Sequence, residues 1–70
     1  MTAIELLRIL RRRATRLGVV HSERPAKGGH VVVRHGGSAT TVPMHRGDMP
    51  IGTFRAILRQ LGLSNADLEH

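Results

Sequence analysis

Apolar residues recur at Ile4, Leu7, Leu10, Ala14 and Leu17, the three- and four-residue spacing of one helix face, with Leu6 and Ile9 widening the stripe. Thr2 and Glu5 stand in the order of a capping box, in which the hydroxyl serves the N3 amide and the carboxylate reaches back to the cap. Gly18 offers the left-handed residue that closes helices. The pattern predicts a first helix over residues 3–17. Beyond it the period changes. Val19-Val20-His21-Ser22 predicts a short strand, and Glu23 to Gly29, with Pro25 and the Gly28-Gly29 pair, predicts a loop. His30-Val31-Val32-Val33-Arg34-His35 is β-branched through its centre and predicts a strand. Gly36-Gly37 predicts a hairpin turn and Ala39-Thr40-Thr41-Val42 the strand that returns from it. Pro43 to Pro50 reads as a second loop. A second helix is expected to begin at Gly52-Thr53, capped by Thr53, to bury Phe54, Ile57, Leu58 and Leu61, and to stop at Gly62, with Leu63 making the apolar contact beyond the cap. Ser64-Asn65-Ala66-Asp67 predicts one more short turn. The order α-β-β-β-α, with hairpin-linked strands, predicts an α+β domain: a three-stranded antiparallel sheet with two helices on one face.

A length of 70 residues fits a single domain, 1–70, whose core supplies only a few kcal/mol of net stability. The chain has no cysteine, so neither disulfides nor thiolate-bound metal can staple it. Phe54 is the only aromatic residue, which leaves the core to aliphatic side chains and leaves little for stacking on bases. The formal charge is +6, and it is uneven. Arg8, Arg11, Arg12, Arg13, Arg16, Arg24, Lys27 and Arg34 face only Glu5 and Glu23 in the first 35 residues, whereas Arg46, Arg55 and Arg59 balance Asp48, Asp67 and Glu69 in the rest. Such a footprint suits nucleic acid or an acidic protein. No apolar run approaches the roughly 18–20 residues that span a bilayer, and arginines interrupt the N-terminal segment where a signal peptide would carry its apolar stretch. A cytoplasmic location with no membrane partner is therefore expected. Leu68-Glu69-His70 matches the start of an expression-vector tail as well as it matches native sequence, and no role is assigned to His70.

The chemistry available is narrow. The five carboxylates are scattered, and no two of His21, His30, His35 and His45 have the i, i+4 spacing of a helical zinc pair, so no metal and no cofactor is expected. Ser22, Ser38 and Ser64 lie in turn or cap contexts. An RNA substrate, however, brings its own nucleophile. Its 2′-hydroxyl attacks the adjacent phosphate once a group removes its proton, another protonates the leaving oxygen and positive charge stabilises the phosphorane; histidine, with an unperturbed pKa of about 6.5, suits the proton transfers. His30 is the candidate by position. It opens a strand, which fixes its direction, and it follows Lys27-Gly28-Gly29, where missing side chains let a phosphate approach the backbone. Lys27 and Arg34 flank it as phosphate contacts. The plain alternative is a strand-end histidine beside an ordinary glycine turn. His35 is assigned to a structural or RNA-contact role, His45 to a solvated loop and His21 to the strand. The arginines of the first helix are either a solvated face or a contact surface for RNA backbone or an acidic partner.

Lys27-Gly28-Gly29-His30, then His35, then the run from Val42-Pro43 through Asp48-Met49-Pro50 and Gly52-Thr53 to Gly62-Leu63-Ser64, resembles the HicA family of toxin ribonucleases. That family carries a Gly-Gly-His or Gly-Ser-His element on its second strand, followed by Val-Pro, a polar loop ending in proline, Gly-Thr, and a helix closing on Gly-Leu. The resemblance implies a fold like that of double-stranded-RNA-binding domains, metal-independent cleavage of messenger RNA with His30 catalytic, and neutralisation by a HicB-like antitoxin; the residues around His30 then give Lys27, Gly28, Gly29, Arg34 and His35 as the expected RNA-contacting set. The chain departs from the family pattern at Val33, where an aromatic residue is usual, and in Glu23-Arg24-Pro25, which lengthens the segment before the glycines. A non-catalytic double-stranded-RNA-binding module is the rival reading, although such a module would place a lysine-rich cluster at the start of its last helix. A purely regulatory protein partner is a third.

Overall fold

The structure is a computed structural model that describes residues 1–69; His70, the last residue of the tail-like segment, lies outside the described residues. The order is α1 (Ala3–Leu17), β1 (His21–Ala26), β2 (His30–His35), β3 (Ser38–Pro43), α2 (Ile51–Leu61) and α3 (Asn65–Leu68). The three strands form one antiparallel sheet in the order β1-β2-β3, so the chain is α+β with the expected layout.

The capping box forms: the Thr2 hydroxyl accepts the Glu5 N–H at 3.1 Å and Glu5 Oε1 accepts the Thr2 N–H at 3.2 Å. Gly18, at φ 70°, ends α1 in the left-handed conformation. The buried stripe is Ala3, Leu6, Leu7, Leu10 and Ala14, which is rotated from the expected one. Leu6 is fully buried, and Ile4 and Leu17 are turned outward at 63% and 52% exposure. Both phases share Leu7, Leu10 and Ala14, so spacing alone does not choose between them.

β1 corrects the loop expected over residues 23–29. Val19 and Val20 precede the strand, which runs from His21 through Pro25 to Ala26, and the turn shrinks to Lys27-Gly28-Gly29. A proline belongs on an edge strand because it has no N–H for a second neighbour, and β1 pairs with β2 alone.

Register sorts the sheet into two faces, since directly opposed residues in an antiparallel pair point the same way. The covered face holds Val31, Val33 and His35 of β2, opposite Pro25, Glu23 and His21 of β1 and Val42, Thr40 and Ser38 of β3. Val33 and Val42 are fully buried there against Leu6, Leu10, Phe54, Ile57, Leu58 and Leu61. Both helices reach this face, α1 through Arg11 to Glu23 and α2 through Gln60 to the Thr40 hydroxyl. The other face carries His30, Val32 and Arg34, with Ala26, Arg24 and Ser22 on one side and Pro43, Thr41 and Ala39 on the other.

α2 begins one residue earlier than expected, at Ile51, with Pro50 in the cap position and no side-chain cap bond. Thr53 therefore sits inside the first turn, and the cap assigned to it is corrected. At the other end Gly62, at φ 70°, and the Leu63 N–H bond back to Leu58 at 2.9 Å close the helix as expected. Ser64 and Asp67 cap the short α3.

Candidate active site on the open face of the sheet

His30 is the first residue of β2, half-buried between Ala26 and Pro43 on the face no helix covers. Its Nδ1 lies 3.0 Å from the Lys27 carbonyl oxygen. A carbonyl only accepts, so Nδ1 donates, and the neutral ring then offers its lone pair at Nε2. The turn that makes this bond depends on Gly28. A Cβ there would stand 3.2 Å from His30 Nδ1 and 3.4 Å from Cε1, at a φ of +74° that side chains resist. The Met44 N–H donates to the Gly29 carbonyl at 2.9 Å, which joins the turn to the exit of β3 and brings the exposed His45 and Arg46 to the same end of the sheet.

The cations around His30 follow the rows of the sheet. Arg24 is opposite Val32 and is thus the diagonal neighbour of His30 across the β1–β2 pair, about 7–8 Å away in Cα position. Arg34, on the strand of His30, is four residues on, about 13 Å. A shallow depression of about 320 Å³ lies between Ser22, Arg24, Val32 and Arg34, with Glu23 at its edge. Arg24 is the residue that sequence reasoning missed. Its loop assignment hid the alternation of Ser22 and Arg24 with His21 and Glu23, which is the period-two signal of a strand.

His35 is placed elsewhere. It is 3% exposed, on the covered face, at the far end of β2 from His30. Its Nε2 is 2.9 Å from Arg13 Nη1 and its Nδ1 3.0 Å from His21 Nδ1. Burial, then the charges of His21 and Arg13, push its pKa below the ordinary histidine value. The structure brings together Lys27, Gly28, Gly29 and His30, sets Arg34 along the same face, and separates His35 from all of them. Val33, where the resemblance expected an aromatic, is fully buried in the core.

Over residues 5–63 the sequence matches the family described as HicA toxin of bacterial toxin-antitoxin systems, a stretch that takes in α1 from Glu5 on, the whole sheet and α2. The chain belongs to the HicA toxin family. It is therefore the toxin half of a toxin–antitoxin pair, with an antitoxin as its partner. No curated protein matches it significantly.

Around this HicA site, no three histidine, aspartate or glutamate side chains among the described residues converge to hold a metal ion. Arg8, Arg12 and Arg16 are exposed on α1, on the opposite side of the sheet from His30, and among the described residues none is ion-paired. Among the described residues no helix is long and apolar enough to cross a membrane.

Proposed function

We propose that this HicA toxin is an endoribonuclease that cleaves messenger RNA without metal, with His30 moving a proton in the reaction. The reading is supported above all by the tautomer of one ring: the Lys27 carbonyl accepts from Nδ1–H, which leaves the lone pair on Nε2 of a residue on the open face. In the reaction Nε2 takes the proton of a ribose 2′-hydroxyl. The 2′-oxygen forms a bond to phosphorus, the bond from phosphorus to the 5′-oxygen breaks, and the products are a 2′,3′-cyclic phosphate and a 5′-hydroxyl. In-line displacement puts the leaving oxygen on the far side of phosphorus, so its proton comes from another group, for which water suffices. Arg24, Lys27 and Arg34 lend positive charge to the phosphates. Gly28 and Gly29 keep the turn low enough for the backbone of the RNA to pass, and the missing aromatic side chains make base selection weak. His35 takes no part in this surface, because both of its ring nitrogens are engaged beneath α1. The antitoxin, of HicB type, neutralises the toxin by covering the open face.

Digestion of a messenger RNA with the wild type and His30→Ala tests this. The wild type yields fragments ending in cyclic phosphate, with EDTA without effect, and the folded variant yields none. Full cleavage by His30→Ala removes the proposal. Salt-sensitive binding of duplex RNA with no turnover by the wild type supports the binding-module reading instead.

A further inference from the structure

Beneath the C-terminal half of α1, on the face away from His30, five polar side chains meet in a line that the proposed reaction does not use. Arg11 donates to both oxygens of Glu23, at 2.7 and 2.5 Å. Glu23 Oε2 lies 2.8 Å from His21 Nε2, His21 Nδ1 lies 3.0 Å from His35 Nδ1, and His35 Nε2 lies 2.9 Å from Arg13 Nη1. The two rings meet edge to face at 77°, with centroids 5.3 Å apart.

Hydrogen-bond chemistry fixes every proton in this line. The Glu23 carboxylate only accepts, so His21 carries hydrogen on Nε2 and, when neutral, a lone pair on Nδ1. His35 must then bring hydrogen on Nδ1, which leaves its Nε2 to accept from Arg13. With both rings neutral, each contact has one donor and one acceptor. An added proton has no place to go. On His35 it sets an N–H against the N–H of Arg13. On His21 it sets two Nδ1–H groups against each other, and if His35 exchanges its own tautomer to relieve them, the conflict moves to Arg13. The guanidinium has no easy retreat, since its Nε is already buried without a partner.

We propose that the line Arg13–His35–His21–Glu23–Arg11 is an acid-released latch, which holds the C-terminal half of α1 on the β1–β2 face while both imidazoles are neutral and lets go when one proton enters. The groups facing the pair offer no compensation at the Arg13 end. Ser38, opposite His35 in β3, and the Thr40–Gln60 pair of β3 and α2 carry no charge. Asp67 of α3 feels the field of Arg13 but hydrogen-bonds to Ser64, and the one carboxylate in the line, Glu23, is at its far end. The latch also bears on β1, an edge strand paired only with β2, whose outward face carries Arg24. The inference is independent of RNA cleavage, and its test involves no RNA.

The test is nitrogen-detected imidazole NMR and amide hydrogen exchange on the whole purified chain. At neutral pH His21 should be found as the Nε2–H tautomer and His35 as the Nδ1–H tautomer. Between about pH 7.5 and pH 5.5, after correction for intrinsic exchange, protection of amides in residues 10–17 should fall about tenfold or more relative to the amides of α2. Arg13→Gln supplies the control, because an amide side chain donates to a neutral His35 through its NH₂ and accepts from a charged one through its oxygen. In that variant the relative loss should shrink to about threefold or less. Other tautomers, or protection falling in step in α1 and α2, would overturn the latch, as would an Arg13→Gln response equal to that of the wild type. If Arg13→Gln does not fold, the wild-type tautomers and the α1 to α2 ratio decide alone.

Discussion

His30 and His35 open and close the same strand, yet the two ends of β2 use the imidazole in opposite ways. They are five positions apart, an odd offset, so the pleat sends them to opposite faces. On the open face, one ring nitrogen of His30 is tied to a carbonyl, and the other has no hydrogen-bond partner among the described residues. On the covered face, both ring nitrogens of His35 are consumed and the side chain is 3% exposed. A histidine becomes available for chemistry by what its surroundings leave unsatisfied, and sequence position alone does not give that.

Removing each ring in turn is the sharpest way to break the comparison. His30→Ala should lower cleavage by about 10²–10⁴, the range a positioned acid–base group contributes, while stability moves by less than about 1 kcal/mol, since the lost bond is partly exposed. His35→Ala should do the reverse in character. It leaves Arg13 Nη1 and His21 Nδ1 without the ring nitrogens they bond, and unsatisfied buried groups cost about 1–3 kcal/mol. For a domain of this size a loss near 2 kcal/mol lowers the melting temperature by roughly 10–15 °C. With His35→Ala held well below its melting point, the cleavage rate should stay within about threefold of wild type. Melting curves and initial rates on the two variants check both halves, and a His35→Ala that melts normally but fails to cleave would reverse the assignment of the faces.

Acid bears on the covered end. The His35 pKa is held down by burial, His21 and Arg13, so the folded state resists a proton that the unfolded chain accepts. Its stabilising contribution is complete above the ordinary histidine value and is lost as pH falls from there through the lowered folded value. Glu23, held low mainly by Arg11 and also by His21, adds a second loss of the same sign at more acid pH, below the ordinary carboxylate value. Melting temperature should therefore fall on acidification in two stages, the first of which disappears in His35→Ala.

The fold was largely legible because its signals are local: a capping box, glycines that stop both long helices, and a β-branched run between glycine turns. Two of the misreadings turn on a proline. Pro25 reads as part of a loop, although a proline is tolerated on an edge strand. Thr53 reads as a cap, although Pro50 already holds the entry to α2. At the site, His30 and its glycines were readable because a residue and its turn are neighbours in sequence. Arg24 was not, because its nearness to His30 comes from strand register, and the burial of His35 was not, because its partners Arg13 and His21 lie 22 and 14 residues away.

Gly28 sharpens the contrast from the backbone side. An alanine there meets an unfavourable φ and crowds the imidazole at 3.2 Å, so Gly28→Ala should lose about 1–2 kcal/mol of stability and, by tilting the ring, about tenfold in cleavage. Gly29→Ala has a similar φ but open space around its Cβ. It should lose comparable stability with a smaller loss of rate, and equal losses of rate would mean that strain alone, and not the ring position, is responsible.

The smallest effects distinguish the cations of the open face. Arg24 is one diagonal step from His30 and Arg34 is two rows away, so a phosphate held for attack at His30 lies nearer to Arg24. Arg24→Gln should raise KM about three- to fivefold and flatten its dependence on salt by about one ion, with kcat falling less. Arg34→Gln should change KM by about twofold or less at the same ionic strength. Both residues are exposed, so neither change should alter the melting temperature measurably. The ordering matters more than either value. A larger effect at Arg34 would place the substrate toward the Arg34 end of β2, away from His30, and would leave the tautomer of His30 as a feature of the turn alone.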